Sequence, residues 1–257
     1  MQRSPSPNPK VRKPGLPLVS ESHDLSVILN SEFRTPNSEL PLPPVPRSFY
    51  LRPTLTVARD LLGKLLVRRL GKEILVGRIV EVEAYLGLRD PASHAYRGMT
   101  PRNRVMFKEG GHLYVYFTYG MHFCCNVVTE RAGIGHAVLL RAVEPLVGLR
   151  TMGRNRSMRI LESKGQNVEI YKEVTRLTNG PAKLCQAMAI DRDENGVDLC
   201  HDRFWIANDP THGHYVIARS ARIGIREGTE HQWRFFIRGN SFVSRAVITN
   251  HLKSKKK

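Results

Sequence analysis

Two carboxylates in the stretch GRIVEVEAYLG, Gly77 to Gly87, are the first candidates for chemistry. Ile79, Val80, Val82 and Ala84, bounded by glycines, predict a β-strand, and alternate side chains of a strand share a face. Ile79, Glu81, Glu83 and Tyr85 are therefore expected to point one way, and Arg78, Val80, Val82 and Ala84 the other. An ionised carboxylate on a half-buried sheet is costly to desolvate without a cationic or hydrogen-bonding partner. Either both glutamates pair with arginines of neighbouring strands, or one of them is held there to work. Arg141, set among apolar residues in AVLLRAVEP, needs a carboxylate itself, and Glu81, Glu83 and Glu144 are the candidates. That pairing serves both readings equally.

The segment HLYVYFTYGMHFCCN places Tyr114 and Tyr116 on one face of a second strand and Leu113, Val115 and Phe117 on the other. Tyr119 precedes Gly120, where a hairpin turn is expected. Such phenols serve as amphipathic packing, or they line a flat slot for a nucleobase while an aromatic at the hairpin tip wedges among stacked bases. In ASHAYRGMTPRNRVMF, Thr100 and Pro101 suit the start of a helix or turn, and Arg97, Arg102 and Arg104 form a cluster matched to phosphate oxygens or to an ordinary solvated face. His94 reads as a structural hydrogen-bonding group, a ligand or a base.

The elements that must position these groups follow from pattern. TLTVARDLLGKLLVRRL has apolar residues at helical spacing and is expected to form one amphipathic helix. After it the period changes to two, through EILVGRIVEVEAYLG, GGHLYVYFTYGMHFCCNVVT and GHAVLLRAVEP, with glycines between them. Short alternating strands of this kind favour an antiparallel sheet. Pro181 opens a later helix in GPAKLCQAMAI, Asn155 to Lys172 lacks a period and reads as a loop, and two strand-like runs close the body, WRFFIRGNSFVS among them. The expectation is one α+β domain, residues 47–251, between a Pro/Ser-rich unstructured leader, residues 1–46, and a basic tail, residues 252–257.

Charge narrows the partner. The chain of 257 residues carries a formal +17, of which +12 lies on the body from Arg47 to His251, so the folded part itself suits a polyanion. Nucleic acid comes first, with an anionic membrane surface or the ribosome as the alternative. Cys124, Cys125, Cys185 and Cys200 lack zinc-site spacing and read as reduced thiols of an intracellular protein. No spanning apolar run and no secretory signal are seen.

With these segments assembled, the sequence resembles the alkyladenine (3-methyladenine) DNA glycosylase family, monofunctional repair enzymes that remove damaged purines. The likeness rests on GRIVEVEAYLG, SHAYRGMTPRNRVMF, HLYVYFTYGMHFCCNVV, VLLRAVEPL, NGPAKLCQAMAI and ARIGI, in that order from about Leu55 to Ser244. It implies a single domain built on a curved, mainly antiparallel sheet, open-barrel-like and flanked by helices, with a protruding β-hairpin that enters the DNA minor groove. It also implies a general base at Glu83, with Arg141 and the main-chain carbonyl of Ile223 as partners of the nucleophilic water. Tyr85, His94 and Tyr116 become the walls around an extruded base, Asn126 a selectivity residue at the pocket floor, and Tyr119 the wedge that fills the gap in the duplex. Arg97, Arg102 and Arg104 are expected on DNA phosphates.

The implied reaction is hydrolysis of the N-glycosidic bond of 3-methyladenine, 7-methylguanine, hypoxanthine or ethenoadenine in duplex DNA, leaving an abasic site, by a monomer without metal or other cofactor. Glu81 is expected to be a structural partner of an arginine. A non-catalytic nucleic-acid-binding module is the rival from another class, and Glu83 separates the two, because a carboxylate among phosphates weakens a pure binder. A lyase-type enzyme would need an amine near the sugar, and no lysine lies in the motifs around Glu83 or Tyr116. A metal-dependent nuclease would need a clustered Asp/His ligand set, which is not seen.

Overall fold

A long strand, β2 (Glu73–Leu86), is the axis of the sheet. The computed structural model describes residues 42–118, 120–160, 168–201, 203–211 and 213–244. Along one edge β2 pairs with β5 (His136–Val147), which continues to β4 (His122–Thr129) and β3 (Leu113–Thr118). The other edge is shared: the first half of β2 pairs with β1 (Leu65–Leu70) and the second half with β8 (Arg234–Ile237). β6 (Phe204–Ala207) extends the sheet beyond β1, and β7 (Ile217–Ser220) beyond β8. All pairings are antiparallel, and the sheet curls into a half-barrel, giving the expected α+β domain.

Helices cover one face, called here the rear. α1 (Arg47–Tyr50) and α2 (Thr54–Leu61) precede the sheet, while α3 (Leu149–Asn155), α4 (Val168–Thr178) and α5 (Pro181–Ala187) follow β5. Val57, Leu61, Val80, Val82, Leu140, Ala142, Cys125, Leu184 and Met188 make the main core between these layers. A smaller cluster lies on the front face, where Ala95, Val105 and Met106 pack on Tyr114, Val128 and Ala137. No helix among the described residues is long and apolar enough to cross a membrane.

Three local expectations change. The helical run that begins at Thr54 ends at Leu61, and Leu65–Leu70 is strand β1. Gly63 takes φ +84°, and a Cβ there would stand 2.8 Å from the Tyr215 ring, so the turn needs glycine. Beyond it, LLVRRL finds sheet partners on both edges, β2 and β6, and pairing overrides the helical spacing. Within the stretch Asn155 to Lys172, α4 begins at Val168, while residues 161–167 lie outside those described. Residues 42–46, expected in the leader, are built into the fold: Leu42 and Val45 are buried, Pro44 bridges Ala207, and Trp205 Nε1 donates to the Leu42 carbonyl at 2.7 Å. Residues 1–41 and the basic tail, residues 252–257, lie outside the described residues. The four cysteines are free thiols.

The β3–β4 hairpin extends past the sheet, because β5 pairs only with Asn126–Thr129 of β4 while His122–Cys125 pair with β3 alone. Gly120 turns it at φ +69°. Tyr119, the expected wedge, lies outside the described residues.

Candidate active site

Direct cross-strand partners share a face, and one such row crosses the front of the sheet. Tyr114 on β3 faces Asn126 on β4, Asn126 faces Leu139 on β5, Leu139 faces Glu83 on β2, and Glu83 faces Arg234 on β8. Register shifts interrupt this lattice next to Glu83. Between Ile79 and Glu81 strand β2 carries one extra residue, Val80, and opposite Glu81–Val82 strand β5 carries Arg141 as its own extra residue. Such bulges bend a strand and redirect a side chain. Ile79 and Val80 both join the rear core as a result, which breaks the expected alternation there. Arg141, freed from one-to-one pairing, reaches both glutamates.

The two carboxylates are fully buried and differ in their partners. Glu81 Oε1 accepts from Arg141 Nε at 2.8 Å, Arg234 Nε at 2.7 Å and Ser244 Oγ at 2.8 Å, and its Oε2 accepts from the Ser244 amide at 2.6 Å. Two guanidinium groups, a hydroxyl and an amide thus hold it. Glu83 Oε1 accepts from the Ile223 amide at 2.7 Å and lies 3.1 Å from Arg141 Nη1, while its Oε2 accepts from the Tyr85 hydroxyl at 2.9 Å. Burial works against the charge of Arg141, yet the carboxylates of Glu83 and Glu81 prevail and raise its pKa. Arg141 does not reach Glu144, which pairs with Arg78 at 3.0 Å.

Behind Tyr85 stands a third buried acid–arginine set. Arg222 and Asp90 are completely enclosed, the guanidinium donating to both carboxylate oxygens at 2.5 and 2.7 Å and to the Ala84 carbonyl at 3.0 Å. Its charge sits 4.6 Å from the Tyr85 ring centre and 5.0 Å from that of Trp233, on which His231 stacks at 3.9 Å. Arg222 therefore supports Tyr85 through the ring and Ile223 through the chain, the two groups that bond Glu83. Sequence reading missed Arg222 and Asp90. A signal existed in ARIGI, an arginine flanked by small and apolar residues, the same sign that singled out Arg141. For Ile223 the contact is made by the amide; no role of its carbonyl follows from this geometry.

The aromatic wall forms next to Glu83. Tyr114 and Tyr116 stack with ring centres 5.5 Å apart, and His94 meets Tyr116 edge-on at 4.4 Å while its Nδ1 lies 3.1 Å from the Tyr114 hydroxyl. Burial of the phenols pushes Tyr114 up to about 12 and Tyr116 and Tyr85 well above the ordinary tyrosine value, so all three stay neutral. The His94 residue keeps solvent on one side, but desolvation of its ring and, next, the Arg102 charge lower its pKa. Its backbone is fixed by Asn103, whose Nδ2 donates to the carbonyls of His94 at 2.7 Å and Gly98 at 3.0 Å. Asn126, buried in the row, donates from Nδ2 to the Tyr114 carbonyl at 3.2 Å. Cys124 hydrogen bonds Tyr116, and burial pushes its thiol up to about 11.

Around this wall lie exposed Arg97, Arg102 and Arg104, with Arg102 Nη2 on the Phe117 carbonyl of the hairpin at 3.1 Å. Leu88, Tyr96, Met99, Phe117 and Met121 are large hydrophobics exposed on the same loops and hairpin. Among the described residues no group of three His, Cys, Asp or Glu is placed to hold a metal ion. The arrangement offers a buried carboxylate, an arginine that pairs with it, and flat rings beside an outward-facing basic and apolar rim.

The family model for methylpurine-DNA glycosylase matches residues 48–241, which include Glu81, Glu83, Tyr85, Asp90, His94, Tyr114, Tyr116, Arg141, Arg222 and Arg234. The chain belongs to the methylpurine-DNA glycosylase family. It is thus a DNA glycosylase, a hydrolase of N-glycosyl bonds. A protein of Alkaliphilus oremlandii, provisionally named a 3-methyladenine DNA glycosylase, is 46% identical over 203 residues, covering 77% of this chain and 98% of its own. Proteins of the same provisional name from Burkholderia lata, 47% identical over 205 residues (79% and 92% covered), and from Clostridium acetobutylicum, 42% identical over 202 (77% and 96%), are similar to the same extent. Family membership decides against the pure binding module.

Proposed function

We propose that this glycosylase rotates damaged purines out of duplex DNA, with 3-methyladenine the leading substrate and 7-methylguanine, hypoxanthine and ethenoadenine in the same class, and that Glu83 is its general base. One observation carries the reading: the Glu83 carboxylate is tied to Arg141 and to the Tyr85 hydroxyl, on the sheet face that also carries Tyr116, against which His94 packs. Relatives named for 3-methyladenine support the substrate. The site acts where DNA is stored, as a monomer.

Extrusion costs a few kcal/mol in lost stacking and pairing. Tyr119 offsets part of this by filling the gap, with Arg97, Arg102 and Arg104 on flanking phosphates. The purine lies between Tyr85 and Tyr116 with His94 at its edge, and Asn126 reads it from the floor; each stacked aromatic contributes about 1–3 kcal/mol. Electron-rich rings favour the positive charge of an alkylated purine. Because Tyr85 closes over Glu83 in the free protein, substrate entry must shift its hydroxyl off Oε2. The C1′–N bond then breaks with its electron pair going to the cationic base, which leaves neutral. Water adds to C1′ and gives its proton to Glu83, whose charge also stabilises the oxocarbenium character at the sugar.

The test is Glu83→Gln on duplexes carrying each lesion, scored as alkali-labile abasic sites without added metal. Excision by the variant near the normal rate refutes the assignment of the base.

A further inference from the structure

A second basic surface lies on the opposite face of the sheet. Arg156, Arg159, Arg176 and Lys183 converge with Met158 and Glu173 on a cleft of about 410 Å3. The cations come from the segment that follows α3, from α4 and from α5, and these helices cover the rear core. That this is the far side from Glu83 follows from two adjacent cysteines: Cys124 touches Tyr116 in the aromatic wall, whereas Cys125 touches Cys185 on α5.

Among the described residues, the lining of the cleft has four cations and one carboxylate. Arg156 Nη1 and Lys183 Nζ donate to the neutral amide oxygens of Gln186 and Asn179, so these bonds fix the side chains without cancelling charge. Arg156 Nε is buried with no hydrogen-bond partner. Burial, then the neighbouring Arg176, lowers the pKa of Arg156; burial, then Arg156 and Arg176, lowers that of Lys183. Cations held together at this cost match an anion that brings several oxygens, and guanidinium forks match phosphate.

We propose that this cleft binds the phosphate backbone of a second DNA segment, distinct from the one undergoing excision. The proposal rests on the front face being the excision site. A sheet layer and a helix layer, each about 10 Å thick, separate the two surfaces, so one straight duplex does not touch both. DNA is the occupant because it is the polyanion this family acts on, and because the lining described is mostly cationic on a body of formal charge +12. Two surfaces for one polymer allow direct transfer between segments during the search for damage.

The full chain is bound to a labelled lesion duplex, and its dissociation is followed as unlabelled undamaged duplex is added. With two sites the dissociation rate rises with competitor concentration. In Arg159→Gln/Arg176→Gln, both at exposed positions, the rate is expected to become independent of competitor, and the salt slope of undamaged-DNA binding to fall by about 2. Single-turnover excision stays within twofold, which keeps this test separate from that of the front face. Arg159→Gln/Lys183→Gln is the second variant should the first melt early. Competitor-independent dissociation of the unaltered protein overturns the proposal, as does unchanged transfer in a folded variant. Displacement by a phosphorylated peptide with none by undamaged duplex also overturns it.

Discussion

The two faces of one sheet are built by opposite rules. On the rear, Val80, Val82, Leu140, Ala142 and Cys125 meet Leu184 and Met188 with no charge between them. On the front, the same strands present Glu81, Glu83 and Arg141, all buried, and Asp90 with Arg222 beside them. Period-two alternation makes this division possible, since neighbours along one strand belong to different environments. Burial of apolar area stabilises the domain from behind, while the front spends buried charge on geometry. Within the front, Glu81 accepts four hydrogen bonds from groups that hold β2, β5, β8 and Ser244 together. Glu83 instead accepts from the Tyr85 hydroxyl and the Ile223 amide and pairs with Arg141. Burial alone would not tell the two acids apart; their partners do.

The sharpest way to break this contrast is Glu83→Gln, expected to lower single-turnover excision about 10²–10⁴-fold while lowering the urea midpoint less than Glu81→Gln does, because Arg141 and Arg234 both keep Glu81. Glu81→Gln should do the reverse. Leaving Arg141 and Arg234 short of a countercharge costs about 3–5 kcal/mol of stability, read in urea unfolding, with excision per folded molecule reduced far less than in Glu83→Gln. On the rear, Leu184→Ala is expected to cost about 2–5 kcal/mol with normal excision by the folded fraction; a loss of catalysis there would erase the division between faces. Tyr85→Phe removes one hydrogen bond to a carboxylate, about 1.5–3 kcal/mol, and thermal unfolding against the parent measures it.

The smallest effect concerns pH. The lowered pKa of His94 keeps its ring neutral at pH 7. The sign follows: the fold favours the neutral ring, its contribution is present above the ordinary histidine pKa, and it fades as pH falls below that range. Excision of cationic lesions is expected to weaken at the acid end as His94 charges and repels the purine, and His94→Gln should flatten that limb of the pH–rate profile.

Much of the site was legible because strand alternation acts over two residues. Glu83 with Tyr85, and Tyr114 with Tyr116, were placed together by spacing, and a lone arginine in an apolar strand predicted its own carboxylate. The choice of Glu81 and Glu83 over Glu144 was not legible, since it depends on the bulge that makes Arg141 the extra residue of β5. The helix beginning at Thr54 was drawn too long because LLVRRL fits both periods, and only the pairing with β2 and β6 decides between them. Arg222 was passed over although its sequence setting resembled that of Arg141, because its acid, Asp90, sits 132 residues away.

By itself the sequence determined the alternation, the excess of positive charge and the order of motifs that mark the family, all properties of residues close in the chain. The tertiary structure alone decided which glutamate two arginines share with Ser244, which amide bonds Glu83, that the Tyr85 hydroxyl bonds it too, and that a cluster of cations gathers behind the sheet. Those facts depend on register, on bulges and on contacts between distant segments, where a shift of one residue exchanges every partner.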